Sequence, residues 1–226
     1  MKIERRLWEH EHKDPVLFPQ LHSSEPSGGI EKLFNWLNKS GVNIRKIKGL
    51  EIGCGKGRNT IWLAKNGLSM SGFDFSEIAI ENAKKRILNI ANSPKFVVAD
   101  ITEKWPYEND TLDLIIDCFS LIEITGDIKF VFKEIDRVLR PGGYFFSYSN
   151  SELSEAYQLY KNEKLQPFTY QYTDTMKVER VFSNLQFNEM LPNFECVEYA
   201  ECTRTQEYNG KPMKWHHIWT IYHKKN

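Results

Sequence analysis

Residues 49 to 57, Gly-Leu-Glu-Ile-Gly-Cys-Gly-Lys-Gly, constrain this chain more than any other stretch, because a short apolar run meets glycines at 53, 55 and 57. Such a run reads as a buried strand giving way to a tight turn. Arg58 to Asn66 has helical character and Gly67 is its stop, so the segment is strand, glycine loop, helix. Glycine at the bend permits positive φ and a close approach of backbone to a ligand, while N–H groups at a helix start attract negative charge. Two explanations fit: a cradle for a small ligand, or a turn that needs glycine on steric grounds alone.

The rest of the chain repeats the alternation. Ile47 to Ile52 is the first strand, Leu68 to Phe73 the second, Lys95 to Ala99 the third, Leu112 to Cys118 the fourth and Tyr144 to Ser149 the fifth. Between them lie helical patterns: one capped by Ser76 with Ile80, Ala83, Ile87 and Ile90 on its stripe, and one opened by Asp127 with Ile128, Val131, Phe132, Ile135, Val138 and Leu139, closed by Pro141-Gly142-Gly143. A further helix from Ile30 carries Leu33, Phe34 and Leu37. Strands alternating with helices specify an α/β, Rossmann-like doubly wound sheet, mostly parallel. Phe194 to Thr203 and Met213 to Tyr222 read as two further strands joined through Asn209-Gly210, which gives the sheet an antiparallel C-terminal hairpin.

At 226 residues the chain is expected to form one domain over 28–226, preceded by an arm over 1–27 that carries Pro15, Pro19, Pro26, Trp8 and Phe18. That arm is either a surface strap or a lid over a ligand. The tyrosine-rich stretch 151–192 is less regular, with helical character around Val178 to Leu185, and is expected to be a substrate-side insertion. Equal numbers of acidic and basic residues, 30 each, argue against a nucleic-acid partner. The four cysteines show no metal-ligand spacing, so no metal is expected and free thiols in a reducing compartment are. Without an apolar stretch of spanning length, the expected location is cytoplasmic, with no membrane association.

In an open parallel sheet, ligands bind at the carboxyl ends of strands where the strand order reverses. Those ends here carry Gly53 and Gly55, then Asp74, Asp100 and Asp117. A carboxylate offers two acceptor oxygens to a vicinal diol, which suits Asp74 to a ribose, and an acid after the third strand can accept from an exocyclic amine. Each acid alone is more often a helix cap or a solvated turn residue. Their recurrence at successive strand ends sets them apart.

Leu50 to Gly57, Gly72-Phe-Asp-Phe-Ser76, Val98-Ala-Asp-Ile101, Leu112 to Asp117 and Leu139-Arg-Pro-Gly-Gly143 together resemble the class I S-adenosylmethionine-dependent methyltransferases in order and spacing, over residues 30 to 150. The resemblance implies methyl transfer from S-adenosyl-L-methionine to a small-molecule acceptor at an O, N or S atom. It implies that Gly53 and Gly55 pack against the methionine part, that Glu51 supports the loop or the cofactor's amino group, and that Asp74 holds the ribose with Phe75 beside the adenine. Asp100 and Ile101 would bracket the adenine edge, and Asp117 with Cys118 would lie near the methionine moiety and the reacting methyl. A cofactor without phosphate tolerates such a line of carboxylates.

Two other readings stand beside it. A nicotinamide dehydrogenase also uses a glycine loop and a downstream acid, but its fingerprint is G-x-G-x-x-G and here the glycines fall as G-x-G-x-G. A non-catalytic cofactor-binding or scaffold protein uses the same fold without turnover. No single catalytic base stands out among His216, His217, His10, His12, His22 and the tyrosines of residues 151 to 172. No Asn-Pro-Pro-Tyr motif, of the kind seen in amino-directed nucleic-acid and protein methyltransferases, follows the fourth strand; Asp117-Cys-Phe-Ser120 stands there.

Overall fold

The computed structural model of the protein describes residues 23–88 and 92–226. Most of the arm, with Trp8, Phe18 and its three histidines, and Ile90 of the expected helical stripe lie outside the described residues. The five expected strands appear as β1 (Lys48–Ile52), β2 (Ser69–Asp74), β3 (Lys95–Val98), β4 (Leu112–Cys118) and β5 (Leu139–Asn150). The intervening helices are α1 (Gly28–Lys39), α2 (Arg58–Lys65), α3 (Glu77–Arg86) and α4 (Ile128–Val138). After β5 come α5 (Glu155–Tyr160), β6 (Thr169–Gln171), β7 (Val178–Arg180), α6 (Asn184–Met190), β8 (Phe194–Tyr208) and β9 (Lys211–Lys224).

Seven strands pair in the order β3-β2-β1-β4-β5-β9-β8. The first five run parallel and β9 is antiparallel to both neighbours. Strand order reverses between β1 and β4, so the crevice expected of such sheets opens there. Leu114, Ile115 and Ile116 of β4 are buried without a break, because both faces are covered. On one face α1 lays Ile30, Leu33 and Leu37 against Leu114, Ile116, Phe146 and Tyr148. On the other, α4 sets Val131, Phe132 and Ile135 against Ile115, Phe145 and Tyr222. Among the described residues no helix is long and apolar enough to cross a membrane.

Three segments differ from the expectation. β5 begins at Leu139 rather than Tyr144: Leu139 pairs with Leu112 and Tyr144 with Leu114, so Pro141-Gly142-Gly143 falls in a bulge inside the strand instead of a turn before it. The stretch from Val178 is not a helix but a strand paired with β6, and α6 starts only at Asn184, where Ser183 and Gln186 form a reciprocal capping box. The hairpin is longer than expected, since Asn209 (φ 51°) and Gly210 (φ 73°) make a two-residue turn that lets pairing continue to Tyr208 and Lys211. Its tip extends past the end of β5 and packs Met213 against Ala156, Tyr170, Tyr172 and Val181, a small second core that anchors residues 151–182.

Candidate functional site

Gly53, Gly55 and Gly57 all take left-handed φ, at 59°, 53° and 75°. A Cβ on Gly53 would stand 2.3 Å from Ser120 Oγ, so the bend above β1 admits glycine alone. The loop is tied to the end of β2: Cys54 N donates to Phe73 O at 2.9 Å and Gly55 N to Asp74 Oδ2 at 2.9 Å. The other oxygen of Asp74 takes Ser76 N at 2.9 Å. Burial raises the Asp74 carboxyl above its ordinary value, against the lowering effect of those two N–H groups.

Asp100 lies on the adjacent strand end. Asp74 is in register with Val98, and Ala99 N donates to Asp74 O at 3.0 Å, so the two acids share one rim. Thr102 fixes Asp100 Oδ1 through its N–H (2.9 Å) and its hydroxyl (2.7 Å). Phe75 is half-buried directly after Asp74, while Ile101 is buried in the main core with Phe73 and Trp105.

Glu51 faces inward. Asn59 Nδ2 donates to its Oε1 at 2.7 Å, Thr60 donates its N–H (3.0 Å) and hydroxyl to Oε2, and Asn59 in turn accepts from Ser27 N at 2.9 Å. This carboxylate therefore bolts α2, and through Asn59 the chain just before α1, to the glycine loop. Burial, partly offset by these donors, raises its pKa to about 7.

Asp117 is wholly buried with four donors. Ser120 N and Leu121 N reach Oδ1 at 2.9 Å each, and the hydroxyls of Ser147 and Ser149 reach Oδ2 at 2.7 and 3.2 Å. It shapes the turn after β4 and joins it to β5, and burial raises it to about 6. Cys118 Sγ lies 2.9 Å from Ser27 Oγ, its thiol pushed up to about 12 by burial.

The carboxyl-end rim thus gathers the glycine loop, Asp74 and Asp100, with Glu51 and Asp117 beneath as supports. Sequence reasoning missed Ser27, Asn59, Thr60 and Ser120. Of these, Ser120 left a trace, since Asp followed three residues later by a turn-forming Ser is a capping pattern. The candidate bases also separate. Tyr170 and Tyr172 both donate to Glu179 Oε2, at 2.5 and 3.2 Å, inside the second core. His216 lies 2.6 Å from Ser151 Oγ through Nδ1 and 3.4 Å from Glu201 through Nε2. His217 is buried between the rings of Phe119 and Tyr148. Among the described residues no cluster of His, Cys, Asp and Glu could hold a metal ion.

The buried groups predict a pH signature. Glu51 ionises near pH 7 when folded against 4.5 when free, so its contribution is full below about pH 4.5 and lost as pH rises through 7. Asp117, raised to about 6, acts in the same direction. His217, lowered to about 4 from 6.5, acts oppositely: its contribution is full above 6.5 and lost as pH falls through 4. Between pH 8 and 6 Glu51 dominates, and lowering the pH should stabilise the wild type by about 1 kcal/mol relative to Glu51→Gln. Thermal melts with equal pH slopes for the two proteins would refute this.

An open sheet whose order reverses beside a glycine turn is a Rossmann-like doubly wound arrangement, the kind in which ligands bind at the reversal. A model of the methyltransferase domain matches residues 50–143, the span from that turn to the bulge in β5. The chain is 39% identical over 101 residues to a sterol 4-C-methyltransferase of Caenorhabditis elegans, covering 44% of this chain and 30% of that one. It is 28% identical over 172 residues to a demethylmenaquinone methyltransferase of Staphylococcus aureus, covering 65% and 70%. The chain spans 30% and 62% of the first two curated relatives it matches. A SAM-dependent methyltransferase structure from Methanosarcina mazei superposes with a TM-score of 0.68 at 18% identity, over 80% of this chain and 93% of that one. From the glycine turn to the bulge in β5 the chain is thus similar to a methyltransferase domain.

Proposed function

We propose that the protein transfers the methyl group of S-adenosyl-L-methionine to a small-molecule acceptor. The observation that carries this is the common rim of the glycine loop, Asp74 and Asp100. Asp74 uses two of its roughly four lone-pair directions on Gly55 N and Ser76 N, which leaves acceptor capacity for a ribose diol beside the loop. Gly53 and Gly55 bring bare backbone to the position of the amino-acid end, and a rim lined by carboxylates suits a cofactor without phosphate. When bound, the cofactor supplies an activated methyl on sulfur. The chain's own residues hold it, fix the turn after β4 where the acceptor meets it, and exclude water.

In this reading Phe75 and Ile101 flank the adenine, and Glu51 and Asp117 act from below by fixing the loop and the turn. Residues 151–182, anchored on the hairpin tip, form the acceptor-side cap. The names of the relatives support a small acceptor: a sterol 4-C-methyltransferase, a ubiquinone biosynthesis O-methyltransferase and a 1,6-didemethyltoxoflavin-N1-methyltransferase. The neutral net charge supports an acceptor other than nucleic acid, and four free cysteines support a cytoplasmic location. Titration calorimetry is expected to give heat with S-adenosylhomocysteine and none with NAD. The opposite result would return the chain to the dehydrogenase reading, and binding without turnover across a panel of phenols, amines and thiols would favour the non-catalytic one.

A further inference from the structure

The two neighbouring histidines of β9 differ in what they have left to offer. His216 is engaged at both ring nitrogens by Ser151 and Glu201. His217 is 8% exposed and, among the described residues, its Nδ1 has no hydrogen-bond partner. It pairs across the sheet with Asn150, the last residue of β5, so it stands at the same end of the sheet as the rim. Its ring lies 5.3 Å from Phe119 and 5.5 Å from Tyr148, and those two rings are 4.7 Å apart. The start of α1 comes close to the same group: a Cβ on Gly29 would fall 2.6 Å from Tyr148 Cδ1. An imidazole nitrogen left unpaired inside an aromatic enclosure is costly unless a ligand completes it.

Phe119 adds an independent sign. It follows β4 directly and has φ 64°, a left-handed conformation that a bulky side chain rarely adopts and that clusters at ligand-contacting positions. Its ring covers the imidazole edge-on.

Building on the methyltransferase reading, we propose that His217 is the acceptor-contacting base, whose Nδ1 takes a hydrogen bond from the O–H of a planar, phenol-like molecule that displaces the Phe119 ring and rests on Tyr148. A flat ring suits aromatic walls, and Nδ1 accepts when the ring proton is on Nε2. The charged and titratable groups facing this enclosure are Arg204 of β8, His216 of β9, Cys118 of β4 and Cys202 of β8. Arg204 is the fixed positive charge among them and opposes protonation of the resting imidazole, which leaves the Nδ1 lone pair free to accept. In the transfer, the acceptor oxygen bonds to the methyl carbon, the carbon–sulfur bond breaks with its electron pair left on sulfur, and the hydroxyl proton passes to Nδ1. The hydroxyl becomes strongly acidic as the new bond forms, so a weakly basic imidazole is sufficient. Burial keeps it neutral, with a pKa lowered to about 4.

Binding of para-nitrophenol and of para-nitroanisole, which lacks the O–H, to protein saturated with S-adenosylhomocysteine tests this. Wild type is expected to prefer the phenol by about 10-fold, His217→Phe to lose the preference with unchanged S-adenosylhomocysteine affinity, and His216→Gln to keep it. Nitrogen-resolved NMR of the wild type needs no variant: the His217 Nδ1 resonance should move with the phenol and not with the ether. No binding of either probe, equal affinity for both, or a preference that survives in His217→Phe overturns the proposal. Failure of S-adenosylhomocysteine to bind at all would instead remove the methyltransferase reading, and this one with it.

Discussion

Asp117→Ala should destabilise the protein by about 3 kcal/mol or more, a drop of roughly 10 °C in the calorimetric midpoint. The substitution removes one carboxylate and strands four donors: Ser120 N, Leu121 N, and the hydroxyls of Ser147 and Ser149. Each buried donor without an acceptor costs about 1 to 3 kcal/mol, and the side chain has no exposed surface through which water could replace the lost oxygen. Asp127→Ala is the proper contrast, because that acid caps α4 at an exposed position through Lys129 N alone and should cost about 1 kcal/mol. Equal losses in the two variants would mean that the turn after β4 holds its shape without Asp117.

Asp74→Ala is expected to weaken binding of S-adenosylhomocysteine by about 1 to 3 kcal/mol, or roughly 10- to 100-fold in Kd. Two effects add. On the proposed reading the ribose would lose a charged acceptor, and Gly55 N loses the oxygen that fixes the loop. Asp74→Asn should fall between, since its carbonyl oxygen can keep one of the two backbone bonds. Calorimetric titration of the three proteins checks the order. An unchanged Kd in Asp74→Ala would reduce this acid to a turn residue that ties β2 to the glycine loop.

Much of this molecule was legible before any coordinates. The glycines at 53, 55 and 57 and the acids closing successive strands fell on one rim because strand ends in a parallel sheet share an edge, so chain position already fixed spatial position. Less legible was what each acid does there. Asp74 and Asp117 look alike in sequence, each closing a strand, yet one keeps acceptor capacity beside the loop and the other is enclosed by four donors. Three of the donors to Asp117, Leu121 N and the hydroxyls of Ser147 and Ser149, carry no signature that links them to it. The strand at Val178 was misread for a related reason. Its partner is β6, and Phe182 N is pinned by Asn150 O, a contact made only after the chain has folded back.

Local sequence determined the alternation of strand and helix, the bend that needs glycine, the Asn209-Gly210 turn and the helix caps, since these depend on side-chain period and φ preference within a few residues. Tertiary structure decided how many donors enclose each carboxylate, the anchoring of residues 151–182 on the hairpin tip, and the separation of His216 from His217. Those outcomes rest on hydrogen-bond partners and ring contacts supplied from distant parts of the chain, and whether a buried polar atom is satisfied is a property of the packed molecule.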